Sequence, residues 1–112
     1  MHPITVRPAR PGDFEAVSAL LAELGRPAVT KNNRGRLQEI YGRHLSRHDT
    51  ASLVALYGDR IVGFVSLEFR DRLNRESPQA WVPDLIVTEG ARGTGAGKAL
   101  LHDRRGLFSA IN

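Results

Sequence analysis

Cysteine is absent from this chain of 112 residues, which excludes disulfides, thiolate metal sites and a cysteine nucleophile together. Aromatic residues are scarce, with one Trp, two Tyr and four Phe, so little is available for a base-stacking nucleic-acid platform. No apolar run approaches the roughly 20 residues of a membrane-spanning helix. The opening Met1-His2-Pro3-Ile4-Thr5-Val6-Arg7 also lacks the apolar centre of a signal peptide. The expectation is a cytoplasmic protein with no membrane partner. Lysine is nearly missing too: Lys31 and Lys98 stand alone, and the net charge of +4 is carried by arginine. Arg26, Lys31, Arg34, Arg36, Arg43 and Arg47 cluster against one acid, Glu39. Without interleaved aromatics this cluster reads as a solvated helix face near an anionic ligand, and nucleic acid is an unfavoured partner. It hints at an acidic substrate.

The remaining composition, 41% hydrophobic and 25% charged, is that of an ordinary globular domain, and residues 1–112 are expected to form one. Ile4 to Arg7 alternates like a strand. Pro11 suits a first helical turn, Phe14, Val17, Leu20, Leu21 and Leu24 form an apolar stripe, and Gly25 stops the helix. Thr30 or Asn33 can cap a second helix with Leu37, Ile40, Tyr41 and Leu45 on its buried face. The period then changes. Ala51 to Tyr57 and Ile61 to Phe69 read as a β-hairpin closed at Gly58-Asp59-Arg60, Arg70 to Gln79 as a polar loop, and Ala80 to Val87 as a fourth strand. A helix follows from about Gly95. The order β-α-α-β-β-β-α implies an α/β (α+β) domain with flanking helices on a mainly antiparallel sheet.

The most informative segment joins that last strand and helix, Glu89-Gly90-Ala91-Arg92-Gly93-Thr94-Gly95-Ala96-Gly97-Lys98. A glycine-rich turn opening a helix aims backbone amides at one spot, an arrangement suited to phosphate, and Arg92 and Lys98 add positive charge. Spacing separates the alternatives. A Walker A loop ending at Gly97-Lys98 requires glycine at position 92 and a hydroxyl at 99, where Arg92 and Ala99 stand. The dinucleotide fingerprint requires a third glycine where Lys98 stands.

What remains, Arg92-x-x-Gly95-x-Gly97 after Leu85-Ile86-Val87, resembles the acetyl-CoA signature of the GNAT superfamily of N-acetyltransferases. Arg7-Pro8-Ala9 in the first strand and Ile61-Val62-Gly63-Phe64 in the third resemble that family's pattern as well. The resemblance spans roughly residues 4–102 and implies the N-terminal part of an acyl-CoA N-acyltransferase fold. It implies acetyl-CoA as co-substrate, with Arg92, Gly93, Thr94, Gly95, Ala96, Gly97 and Lys98 around its pyrophosphate. The pantetheine arm would lie against the backbone of Ile86 and Val87. The acetyl group would pass by direct attack to a primary amine on a small molecule or peptide, with a backbone amide near Val87 stabilising the oxyanion.

A carboxylate on the fourth strand serves as base in many relatives, which nominates Asp84, with Glu68 on the third strand in reserve. Both tyrosines, Tyr41 and Tyr57, precede the loop, so the family's usual late general-acid tyrosine has no counterpart. A catalytically incomplete acetyl-CoA-binding module is therefore the alternative function. His44 and His48 stand four apart on the second helix, but no third ligand accompanies them, and no metal site is expected. Trp81 reads as packing rather than a substrate platform, and Arg104-Arg105 as a solvated helix end. Relatives continue beyond the loop helix with further strands. The resemblance thus implies a truncated or frameshifted member whose fourth strand is an open edge, and a homodimer formed through that edge.

Overall fold

The computed structural model describes residues 3–102; Arg104-Arg105 and the tail around Gly106 lie outside the described residues. The elements run β1 (Ile4–Pro8), a 3-10 turn (Pro11–Asp13), α1 (Phe14–Glu23), α2 (Arg34–Ser46), β2 (Thr50–Tyr57), β3 (Arg60–Arg70), β4 (Gln79–Val87) and a second 3-10 turn (Glu89–Ala91). A further helix, α3, begins at residue 96 and continues to the last described residue, 102. The expected order and α+β class are those observed. The sheet order is β1-β2-β3-β4, and all three described pairings are antiparallel.

Local chemistry accounts for the boundaries. Pro11 opens a 3-10 turn, so the α-helix starts only at Phe14. Gly25 ends α1 at φ +96°. Its amide donates to the Ala22 carbonyl at 3.1 Å, and the Arg26 amide donates to the Leu21 carbonyl at 3.0 Å. This paired closure needs a left-handed residue at Gly25, which glycine adopts without a Cβ penalty. It also sets the direction in which Arg26 leaves the helix.

The sheet has two differently covered faces. On one, Leu53, Ala55, Val65 and Leu67 pack with Ala91, Ala96 and Leu100 of the glycine turn and α3. Gly63 makes that contact possible: a Cβ there would meet Leu100 Cδ1 at 3.1 Å, Ala55 Cβ at 3.4 Å and the Ile86 carbonyl oxygen at 3.4 Å. On the other face Val54, Phe64 and Ile86 meet Val17 and Leu20 of α1. A bulge between Ala55 and Leu56 of β2 and the facing β3 register lets Ile61 join the α1 face while Val62 joins the α3 face.

The second helix departs from expectation. Leu37, Ile40, Tyr41 and Leu45 were to be its buried face, yet no residue of α2 is buried, and Ile40 is 44% exposed. The apolar stripe exists but is only partly covered: Tyr41 packs against the Val54, Phe64 and Ile86 core, while Leu37 and Ile40 line a gap. Polar contacts also hold the helix there: Arg34 pairs with Glu15 of α1, and the Tyr41 hydroxyl donates to the Arg10 carbonyl at 2.6 Å. At the start of α1, Asp13 does more than favour a helix dipole. It accepts from both guanidinium nitrogens of Arg7, at 2.7 and 3.0 Å, and from the Arg10 amide at 2.8 Å.

Candidate functional site

The site is organised by β4. Ser66 faces Asp84 and Glu68 faces Trp81, so the interval from 81 to 84 on β4 spans one residue more than its partner. Val82 and Pro83 form the bulge, a place where proline's missing N–H removes no ladder bond. Beyond the bulge the register is regular, and Asp84, two residues before Ile86, shares its α1–α2 side of the sheet. Arg26 holds it with a fork, Nε to Oδ1 at 3.0 Å and Nη2 to Oδ1 at 2.8 Å. Ser66 donates from Oγ to Asp84 Oδ2 at 3.0 Å and accepts the Asp84 amide at 3.1 Å. The carboxylate is thus fixed from two sides, with its side chain 21% exposed.

Asp84 borders a cleft of about 340 Å³ between α1, α2 and the sheet. Ser66, Glu68 and Arg26 share its polar end, while Phe14, Leu21, Val29, Leu37, Ile40 and Phe64 contribute apolar wall. Glu68, the reserve carboxylate, lies 3.2 Å from the Arg70 Nη2 through Oε1. Tyr41 also lines the cleft, tilted against Phe14 at 5.7 Å between ring centroids. Burial, foremost, and the charge of Asp13 push its phenol up to about 12, against an opposing effect of Arg7. The Arg7–Asp13 pair behind it shifts in opposite directions: hydrogen bonding to Arg7 holds Asp13 below the ordinary carboxylate value, and the same bond raises Arg7.

The glycine turn lies at the far end of β4. Gly93 and Gly95 adopt φ +89° and +91°, and a Cβ on either would meet nothing within 4 Å. Conformation, not crowding, therefore requires glycine at these two positions. The Gly97 position is different, with a Cβ placed in ordinary contact with Val87 Cγ2 at 3.6 Å. Thr94 Oγ1 donates to the Ala91 carbonyl at 2.6 Å, closing the turn internally. Ala96, Gly97 and Lys98 open α3, so their amides have no intrahelical acceptor. Arg92 Nε donates to the Val87 carbonyl at 3.2 Å. From α1, Glu23 accepts the Thr88 hydroxyl at 2.7 Å and the Glu89 amide at 3.2 Å, tying the turn's entry to the helix end.

Backbone alternation gives the direction of the Val87 amide, the group that the resemblance names near the oxyanion. The Thr88 amide donates across the sheet to the Val62 carbonyl at 2.9 Å. In an antiparallel ladder the next residue points the other way, so Val87 directs its amide and carbonyl to the open side of β4. Ile86 is buried in the α1 core, and its side chain anchors this strand end.

The structure thus places Asp84, the end of β4 and the glycine turn in sequence along the β4 edge, with Glu68 on the neighbouring β3 opposite Trp81. Sequence reading missed Ser66 and Arg26. The β3–β4 pairing could have suggested Ser66; nothing local marks Arg26, whose reach crosses 58 positions. His44 and His48 do not share a helix face, because α2 ends at Ser46, and His44 Nε2 lies 3.2 Å from the Ala51 carbonyl. Trp81 carries the Arg70 guanidinium over its ring at 4.9 Å. No described helix is long and apolar enough to cross a membrane.

A profile of the acetyltransferase (GNAT) family matches residues 17–103. Solved structures with the same fold include a transcriptional regulator from Bacillus halodurans C-125, at 23% identity over 96% of this chain and 75% of that one, with TM-score 0.84. A GNAT family acetyltransferase from Staphylococcus aureus subsp. aureus USA300_TCH1516 is 21% identical over 100% and 82%, with TM-score 0.82. The ribosomal-protein-alanine N-acetyltransferase of Brucella melitensis biovar Abortus 2308 is 18% identical over 98% and 74%, with TM-score 0.76. No curated protein matches the chain.

Proposed function

The chain belongs to the acetyltransferase (GNAT) family, and from that premise we propose that it binds acetyl-CoA along β4 and the glycine turn and acetylates a primary amine beside Asp84. The observation that carries this reading is the continuity of one strand. β4 presents Asp84 to the cleft, turns the Val87 amide to its open side three residues later, and then enters the glycine turn.

The residues of the turn suit the co-substrate. Amides of Ala96, Gly97 and Lys98 offer donors to the pyrophosphate, and the left-handed Gly93 and Gly95 bend the chain so that those donors converge. Arg92 and Lys98 supply charge, and Thr94 closes the cradle through Ala91. Val87 holds the pantetheine arm through its outward-facing backbone, and Ile86, whose amide and carbonyl face β3, fixes that strand end through its buried side chain. On the cleft side, Asp84 binds the acceptor ammonium and takes up the proton it sheds. The amine nitrogen attacks the thioester carbon, the Val87 amide donates to the developing oxyanion, and the carbon–sulfur bond breaks. The attacking nitrogen loses its second proton as the amide forms, and water relays that proton to the departing thiolate. Arg26 and Ser66 are positioning residues that keep the carboxylate aimed into the cleft. Tyr41 donates to Arg10 and has no part in the transfer.

The open side of β4, where Trp81 is 41% exposed, also suits edge pairing with a second copy, and light scattering at micromolar concentration should then give a dimer mass. Pro83 interrupts that edge, so pairing would be confined to one side of the bulge.

Calorimetric titration with CoA tests the first half of the reading. Saturable binding is expected, and Gly95→Ala should weaken it about tenfold, since a side chain in the left-handed region costs roughly 1–2 kcal/mol. Thiol release from acetyl-CoA with an amine panel tests the second half. Asp84→Asn should lower turnover roughly 10²–10⁴-fold, the usual yield of a positioned acid or base. CoA binding without turnover on any amine would leave a binding module and remove the enzyme.

A further inference from the structure

Beyond the reaction class stands the question of which amine, and the cleft beside Asp84 has a chemistry of its own. We propose that the acceptor is a monocationic amine on an apolar, aliphatic or aromatic body of about a dozen non-hydrogen atoms. This rests on the reading of Asp84 as the acceptor-side group.

Three observations carry it. The first is capacity. The cleft measures about 340 Å³, and an engineered apolar cavity of roughly 150 Å³ takes up one benzene ring. Scaling from six ring atoms gives roughly a dozen. The second is lining. Leu21, Val29, Leu37 and Ile40 project into the cleft from α1, α2 and the segment between them, opposite Phe64 of the sheet. Such a wall binds hydrocarbon and leaves the hydrogen-bonding groups of a sugar or a polar peptide without partners.

The third is charge. The arginines that suggested an acidic acceptor are engaged elsewhere: Arg34 with Glu15, Arg36 and Arg43 with Glu39, and Arg47 with Asp49. None of these four lines the cleft. Its polar lining is Arg26, paired with Asp84, and Glu68, paired with Arg70 from outside the cleft, together with Ser66, Ser18 and His44. Asp84 Oδ1 is filled by the Arg26 fork, but Oδ2 takes a single bond from Ser66 and has room for another donor. One ammonium is matched there. A polycation would bring further charges against apolar wall, and an acidic acceptor would face Asp84 and Glu68.

The test is direct binding followed by nuclear magnetic resonance or calorimetry, on the full chain with and without saturating CoA, so that acceptor recognition is read independently of turnover. The probes are ethylamine, phenethylamine, tryptamine, spermidine, glutamate and the neutral phenylethanol. Phenethylamine should bind about ten- to a hundredfold tighter than ethylamine, the gain from burying a phenyl group. It should also outbind spermidine, glutamate and phenylethanol. Ile40→Asn alters an exposed wall position outside the core without adding charge, and it should reduce phenethylamine binding about tenfold while leaving ethylamine within twofold. Tighter binding of spermidine or glutamate, or equal binding of ethylamine and phenethylamine, overturns the inference. If CoA binds and no amine does, the inference falls and the co-substrate reading survives. If phenethylamine binds and CoA does not, the cleft inference stands and the acetyl-CoA reading falls.

Discussion

Two helices lie over the same face of the sheet and serve different ends. α1 buries Phe14, Val17 and Leu20, and α2, three residues longer, buries none. Both carry apolar stripes at helical spacing. The difference is what each stripe meets: α1 lands on Val54, Phe64 and Ile86, and α2 faces a cleft. One helix supplies most of the packing, and the other is a wall that touches the core through Tyr41 and is held by an ion pair and a phenol. Periodicity reports that a helix has an apolar side; it does not report whether protein or ligand covers that side.

Truncation at matched positions should separate the helices most sharply. Leu20→Ala, at a fully packed site, should cost about 3 kcal/mol in denaturant unfolding, whereas Leu37→Ala in α2 should cost under about 1 kcal/mol. Equal losses would erase the distinction. Next comes the polar anchor beneath α1. Asp13→Asn should cost about 2 kcal/mol, because Arg7 loses a charge-assisted partner at a largely buried site. Its pH signature has a definite sign. The folded carboxyl sits below its ordinary 3.8, so the stabilisation is fully present above that value. It is lost as pH falls through the lower folded value, and Asp13→Asn should flatten that acid limb.

A smaller effect tests the contact holding α2. Tyr41→Phe should cost about 1 kcal/mol through the lost bond to the Arg10 carbonyl. The folded phenol is raised from 10.0 to about 12, so its contribution is complete below pH 10 and declines toward pH 12. The variant should lack that decline in a stability–pH scan. Ile40→Asn, exposed at the cleft, should move the unfolding midpoint least of all, within about 0.5 kcal/mol.

Glycine offers a second contrast that bears on legibility. Gly63, Gly93 and Gly95 look alike in the sequence. The first is favoured by close packing, with Leu100 Cδ1 3.1 Å from a would-be Cβ. The other two are dictated by positive φ with open space before them. The Ile61-Val62-Gly63-Phe64 step and the Arg92-x-x-Gly95-x-Gly97 spacing were both readable as patterns, and the element order followed from period changes and turn residues. The reasons behind each glycine were not readable, because they depend on what the rest of the chain brings near. The same holds for Asp84. Its place on the fourth strand was legible, yet the fork from Arg26 depends on how Gly25 closes α1 and on the register that sets Asp84 opposite Ser66.

The sequence alone determined the strands and helices, the α+β order and the phosphate-suited turn, because hydrophobic period, capping residues and glycine spacing act over a few neighbouring positions. Tertiary structure decided which apolar stripe became core and which became cleft wall. It also decided which arginine met Asp84 and which way Val87 turned its amide. Those outcomes depend on register and bulge placement across strands far apart in the chain, where a shift of one residue reverses every side chain's face.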